Sequence, residues 1–148
     1  MFKKIVIGFD GSEASERALK VACDIAQKYE AEIHLVHTPQ PKTVAFAMGA
    51  AAGYHAVTTM PSDAETEKSC EKALSAAMTI AKHYEVDISK THTDRGDPAQ
   101  QIIACADGCG ADLIVTGRRG LGSLKSLLQG STSLQVNHLA KCACLSTV

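Results

Sequence analysis

Two short runs, Ile5-Val6-Ile7 and Leu113-Ile114-Val115, are apolar without interruption. A strand with one wet face alternates polar and apolar residues, whereas an unbroken run must be buried on both faces. That demand is met in parallel sheets covered by helices. The intervening chain supplies such helices. Ser12 can cap a helix from about Glu13 to Tyr29, with Glu13 and Glu16 in its first turn and Ala18, Leu19, Ala22, Ile25, Ala26 and Tyr29 facing inward. Ser62 with Glu65 has the spacing of a capping box opening a helix to Tyr84, whose inner face is Leu74, Ala77, Met78, Ile80, Ala81 and Tyr84. Asp97-Pro98 opens a third helix that stops near Gly108 and Gly110. Glu32 to His37 reads as a second strand, and Cys142 to Val148 as the last. Val86 to Thr93 sets Val86, Ile88 and Lys90 against Asp87 and Ser89, which predicts an edge strand. Strands alternating with helices predict an α/β fold: a doubly wound, five-stranded parallel sheet with helices on both faces, Rossmann-like. At 148 residues and 45% apolar content, residues 1–148 fit one domain.

The run Thr116 to Ser133 is glycine-rich, follows the buried strand and leads into the apolar periodicity of Leu134 to Ala140. Backbone N–H groups gather around phosphate oxygens at such strand-to-helix turns. Gly117, Gly120, Gly122 and Gly130 offer close approach and positive φ. Ser131, Thr132 and Ser133 add hydroxyls at the helix start, and Arg118, Arg119 and Lys125 add cations. Adjacent Arg118 and Arg119 diverge, so one faces solvent or a partner. The loop lacks G-x4-G-K-[ST] and G-x-G-x-x-G, and it contains no general base, which predicts phosphate binding with turnover slow or absent.

Composition narrows the remaining classes. A net charge of −1 and 4% aromatic content argue against a nucleic-acid surface. No apolar run approaches a membrane span, and the N-terminus starts on a strand rather than a signal peptide, which predicts a cytoplasmic protein. The six cysteines are expected as reduced thiols. Cys105 and Cys109 at i, i+4, or Cys142 and Cys144 on one strand face, could supply zinc ligands, but neither pair has C-x2-C spacing. His34, His55, His83, His92 and His138 show no paired ligand spacing and are expected as packed or surface residues. Thr38 to Pro61, small and apolar with prolines, reads as a long irregular cover or interaction surface.

The spacing G-x2-G-x9-G-S of Gly117, Gly120, Gly130 and Ser131 resembles the nucleotide loop of the ATP-binding branch of the universal stress protein family. Lys3 to Ser12, Gly96-Asp97-Pro98-Ala99 with Ile102-Ile103, and Gly110 to Val115 resemble further blocks of that family, in the same order along nearly the whole chain. The resemblance implies strand order 3-2-1-4-5 and ATP as ligand, with AMP and ADP as alternatives and Mg²⁺ carried by the phosphates. It assigns Asp10 to a ribose hydroxyl or a metal, and the backbone of Val36, His37 and Thr38 to adenine. Gly117, Arg118, Arg119, Gly120, Gly130, Ser131 and Thr132 would hold the phosphates. It also implies a homodimer through the last strand, although Cys142-Ala143-Cys144-Leu145-Ser146-Thr147-Val148 departs from the family's Cys-Pro and aliphatic run. Three functions stay open: an ATP-dependent regulatory module with a protein partner, a slow ATPase or phosphotransferase, and a nucleotide-free dimerising scaffold.

Overall fold

The computed structural model describes residues 1–40, 62–118 and 132–148. In chain order these form β1 (Lys4–Gly8), α1 (Glu13–Tyr29), β2 (Glu32–Val36), α2 (Asp63–His83), β3 (Ile88–His92), α3 (Pro98–Cys109), β4 (Leu113–Gly117), α4 (Thr132–Leu139) and β5 (Ala143–Thr147). The sheet order is β3-β2-β1-β4-β5, every pair parallel, as the resemblance implied.

The continuous apolar runs serve two cores at once. Ile5, Ile7, Ile33, Leu35, Leu113 and Val115 pack under α1 and α2 on one face. Val6, Val36 and Ile114 pack on the other against Ala99, Ile102 and Ala106 of α3 and Val136 of α4. Each fully buried aliphatic side chain contributes about 1.5–3 kcal/mol, so the central strands dominate stability. Met78, expected on the inner face of α2, is 43% exposed; Ala77 and Ala81 carry that contact instead.

Helix starts follow the residues that signal them. The Ser12 hydroxyl accepts the Ser15 N–H at 3.2 Å, and Asp97 accepts that of Gln100 at 2.9 Å. Ser62 and Glu65 form the reciprocal capping box, the Ser62 N–H donating to Glu65 at 2.7 Å. Those bonds hold the Glu65 carboxyl below its usual range.

The edge strand β3 is less regular than its alternation suggests. Ile33 pairs with Ile88 but His34 pairs with Lys90, so β3 carries one extra residue at this point. A bulge of this kind re-aims the side chains beyond it. Ile88 packs with the α1–α2 core, while Lys90 and His92 turn to the side of α3. Ile88 and Lys90 therefore do not share a face.

Gly117 is required for space rather than for positive φ, which among the described glycines belongs to Gly11, Gly96 and Gly110. A Cβ on Gly117 would lie 2.6 Å from the carbonyl carbon of Ala14 and 2.8 Å from both the Ala14 oxygen and the Ser15 nitrogen, all backbone atoms of α1. Gly117→Ala should destabilise by about 1–3 kcal/mol, because a backbone contact cannot yield as a side chain does. Gly108→Ala should be neutral or stabilising by up to about 1 kcal/mol, since its Cβ would meet nothing within 4 Å in a helix. Thermal unfolding of the two variants checks the contrast, and equal midpoints would refute the packing argument. Ser62→Ala should cost about 1 kcal/mol in the same measurement.

Candidate functional site

The connections leaving β1 and β4 diverge, one toward β2 and the other toward β5. The carboxyl ends of these two central strands are where an open parallel sheet opens a crevice for ligands. Asp10, Gly117 and Arg118 follow or end them, and His37 and Thr38 follow neighbouring β2.

Asp10 forms a turn, its Oδ1 accepting the Ser12 N–H at 3.0 Å. This fixes the carboxylate at the mouth of the crevice. The ends of three strands are laced together just beyond it. The Phe9 N–H donates to the Val36 carbonyl at 2.9 Å, and the His37 N–H to that of His92 at 2.9 Å. His37 is 2% exposed, and its Nδ1 lies 2.8 Å from the Phe9 carbonyl. A carbonyl only accepts, so Nδ1 carries the proton. The imidazole of His37 thus holds the carboxyl ends of β1 and β2 in place. Thr38, 7% exposed, buries an Oγ1 that has no hydrogen-bond partner among the described residues. Buried hydroxyls are normally satisfied, so this one is open to a polar group from outside the described residues.

At β4 the Arg118 N–H donates to the Thr147 carbonyl at 2.7 Å, extending the ladder past Gly117, and the residue as a whole is exposed. Thr132 begins α4 and is half-buried. The structure therefore gathers Asp10, Val36, His37, Gly117 and Arg118 at one end of the sheet, while Arg119, Gly120, Gly122, Lys125, Gly130 and Ser131 lie outside the described residues, as do His55 and most of the Thr38–Pro61 segment.

The polar residues of β5 have internal partners that the strand's composition did not announce. The Ser146 hydroxyl is 3.3 Å from the Thr116 hydroxyl and accepts from Asn137 Nδ2 at 3.1 Å; that same amide donates to the Ser133 carbonyl at 2.7 Å. The Thr147 hydroxyl donates to the Ala14 carbonyl at 3.3 Å. These bonds tie β4, α4, β5 and α1 together at the end of β4, a role in the Ser-Thr departure that only the fold reveals.

All six cysteines are free thiols. Burial, with Asp24 adding to it, pushes Cys23 up to about 11. Burial, and then Cys109, pushes Cys105 up to about 11. Burial raises Cys70, Cys142 and Cys144 as well. Thiols shifted upward stay protonated, so none of these five is poised as a nucleophile. No described helix is long and apolar enough to cross a membrane.

Comparison with known proteins agrees with this architecture. The profile of the universal stress protein family matches residues 1–146. The chain is 30% identical to the universal stress protein YxiE of Bacillus subtilis over 148 residues, covering 98% of each. It is 34% identical over 153 residues to a Thermus aquaticus universal stress protein, again covering 98% of each. A crystal structure of a universal stress protein in complex with cAMP superposes with a TM-score of 0.72 at 25% identity, covering 99% of this chain and 97% of that one. The Archaeoglobus fulgidus protein in complex with dAMP shares the fold, with a TM-score of 0.66 at 20% identity and coverage of 99% and 98%. From Lys4 to the last strand, this chain belongs to the universal stress protein family.

Proposed function

We propose that the protein is a cytoplasmic, ATP-binding regulator of the stress response whose nucleotide state alters its association with partners. The observation that carries this reading is the convergence of Asp10, the Thr38 hydroxyl, unpartnered among the described residues, and the end of β4, from which the glycine loop departs, at the switch point of the sheet. The cAMP complex of a relative supports an adenine nucleotide as the ligand class.

In this reading the adenine lies against the carboxyl end of β2. The Val36 carbonyl already accepts from Phe9, and the His37 N–H is spent on His92, so the Thr38 hydroxyl is the group best placed to serve the base or the ribose. Asp10 accepts from a ribose hydroxyl. The phosphates belong to Gly117, Gly120, Gly130, Ser131 and Thr132, with one of Arg118 and Arg119 balancing charge and the other facing solvent or a partner. Mg²⁺ travels with the phosphates and needs no dedicated protein cage. Without a lysine clamp or a general base in the loop, binding outweighs turnover.

Calorimetric titration with Mg-ATP and mass spectrometry of nucleotide released from freshly purified protein test the proposal directly. No binding and no recovered nucleotide would reject it in favour of a nucleotide-free scaffold. Sustained phosphate release at about 1 s⁻¹ or faster would favour an enzyme. Gly130→Val should abolish ATP binding in a folded protein, and Ser131→Ala should weaken it by about 0.5–1.5 kcal/mol. Thr38→Val separates ligand recognition from packing. Removing a buried hydroxyl with no partner among the described residues should leave the nucleotide-free protein as stable or more so, while ATP affinity falls. Unaltered affinity would take Thr38 out of the site.

The same proposal includes a homodimer through β5. The Thr147 carbonyl points at β4, and a residue's N–H and C=O point the same way in a strand, so Cys144 and Ser146 direct theirs at the open edge. Sedimentation at about 10 µM should show a dimer, and Cys144→Pro should shift it to monomer with its circular dichroism preserved. A wild-type monomer at that concentration excludes the arrangement.

A further inference from the structure

On the face of the sheet covered by α3, beside the edge strand β3, β2 and α3 bring together three groups far apart in sequence. Cys105 and Cys109 stand one helical turn apart on α3, and His34 of β2 faces them. One ring nitrogen of His34 and the two sulfurs all lie within 4.8 Å of one another. The His34 side chain is only 9% exposed, and its Nδ1 is buried with no hydrogen-bond partner among the described residues. The Nε2 of His92, whose ring stacks on that of His34 at 5.8 Å, is buried and unpartnered as well. It is the bulge in β3 that turns His92 to this side. An unpaired imidazole nitrogen facing two thiols is poorly explained as packing, because buried polar atoms are normally satisfied.

The surroundings favour a ligand over a chance cluster. The Glu32 carboxylate lies 3.8 Å from His34 Nε2, too far for a hydrogen bond but close enough to add negative charge beside the ring. Lys4 Nζ donates to the Cys109 carbonyl at 3.1 Å and anchors the last turn of α3 over the site. A cavity of about 660 Å³ lined by Lys90, Asp94 and Gln101 gives access from solvent. From this geometry we infer that His34, Cys105 and Cys109 form a site for a thiophilic divalent cation, zinc being the best match, with the fourth position open to the cavity. Two thiolates and a neutral imidazole offset the charge of the ion and supply the N and S donors it prefers. Bond lengths of about 2.0–2.3 Å require donors roughly 3.5–3.8 Å apart, so rotation of the cysteine side chains by about an ångström closes the shell. Burial and Cys109 raise the Cys105 thiol, with Lys90 lowering it and Asp94 raising it to a lesser degree, so the ion binds by displacing the proton.

Cobalt(II) is the probe, added to reduced, metal-stripped, full-length protein, with zinc then added in competition. One cobalt per chain should bind with a thiolate-to-cobalt charge-transfer band in the near ultraviolet, which zinc displaces. Cys105→Ser and Cys109→Ser should each weaken binding by about tenfold or more, as should His34→Gln. The paired Cys142→Ser/Cys144→Ser variant should retain the band. In wild-type protein, zinc should protect Cys105 and Cys109, and not Cys70, from alkylation read by peptide mass spectrometry; this readout does not depend on any variant folding. Absence of the charge-transfer band at about 1 mM cobalt, a band that persists without Cys105 and Cys109, or one that vanishes only with Cys142 and Cys144 would each overturn the assignment.

Discussion

The pairing of β1 with β4 is the contact on which the rest of the molecule depends. Both strands are buried on both faces, and their register sets Ile5 beside Leu113 and Ile7 beside Val115. The helices that follow the two strands, α1 and α4, pack on opposite faces of the sheet, so their shared carboxyl end lies between the two. The crevice is thus a consequence of topology before any side chain is chosen. The residues found there refine an opening that the sheet order has already made.

Much of the fold was legible because the signals were local. Ser12, Ser62 and Asp97 cap helices where their spacing said they would, and the unbroken runs of β1 and β4 mark the central strands. Strand order was not legible in that way; it came from resemblance, since no local pattern tells a strand which neighbour to choose. The β3 bulge was hidden for a related reason. Its cause is pairing with β2, and Val86 to Thr93 read alone looks regular.

The site was legible in part. Asp10 and the glycine loop could be singled out because turn chemistry and phosphate chemistry use distinctive residues. The Thr38 hydroxyl, unpartnered among the described residues, could not, because its surroundings are set only by folding. Of the two reasons to single out Gly117, positive φ does not apply and close approach does, here to the backbone of α1. The group formed by His34, Cys105 and Cys109 lies beyond spacing arguments altogether, since its members sit on a strand and a helix about seventy residues apart.

The first turns of α1 touch more of the molecule than their length suggests. Ala14 and Ser15 abut Gly117, the Ala14 carbonyl receives the Thr147 hydroxyl, and Arg17 Nε donates to the Val148 carbonyl at 2.8 Å. The base of the glycine loop and the free edge of the sheet therefore lean on one short rigid lever. A shift of β4's end too small to break any strand pairing would still be transmitted to the chain terminus, because close-packed backbone compresses very little. Linkage makes such a connection reciprocal: whatever grips the terminal strand would bear, through the same lever, on the mouth of the crevice.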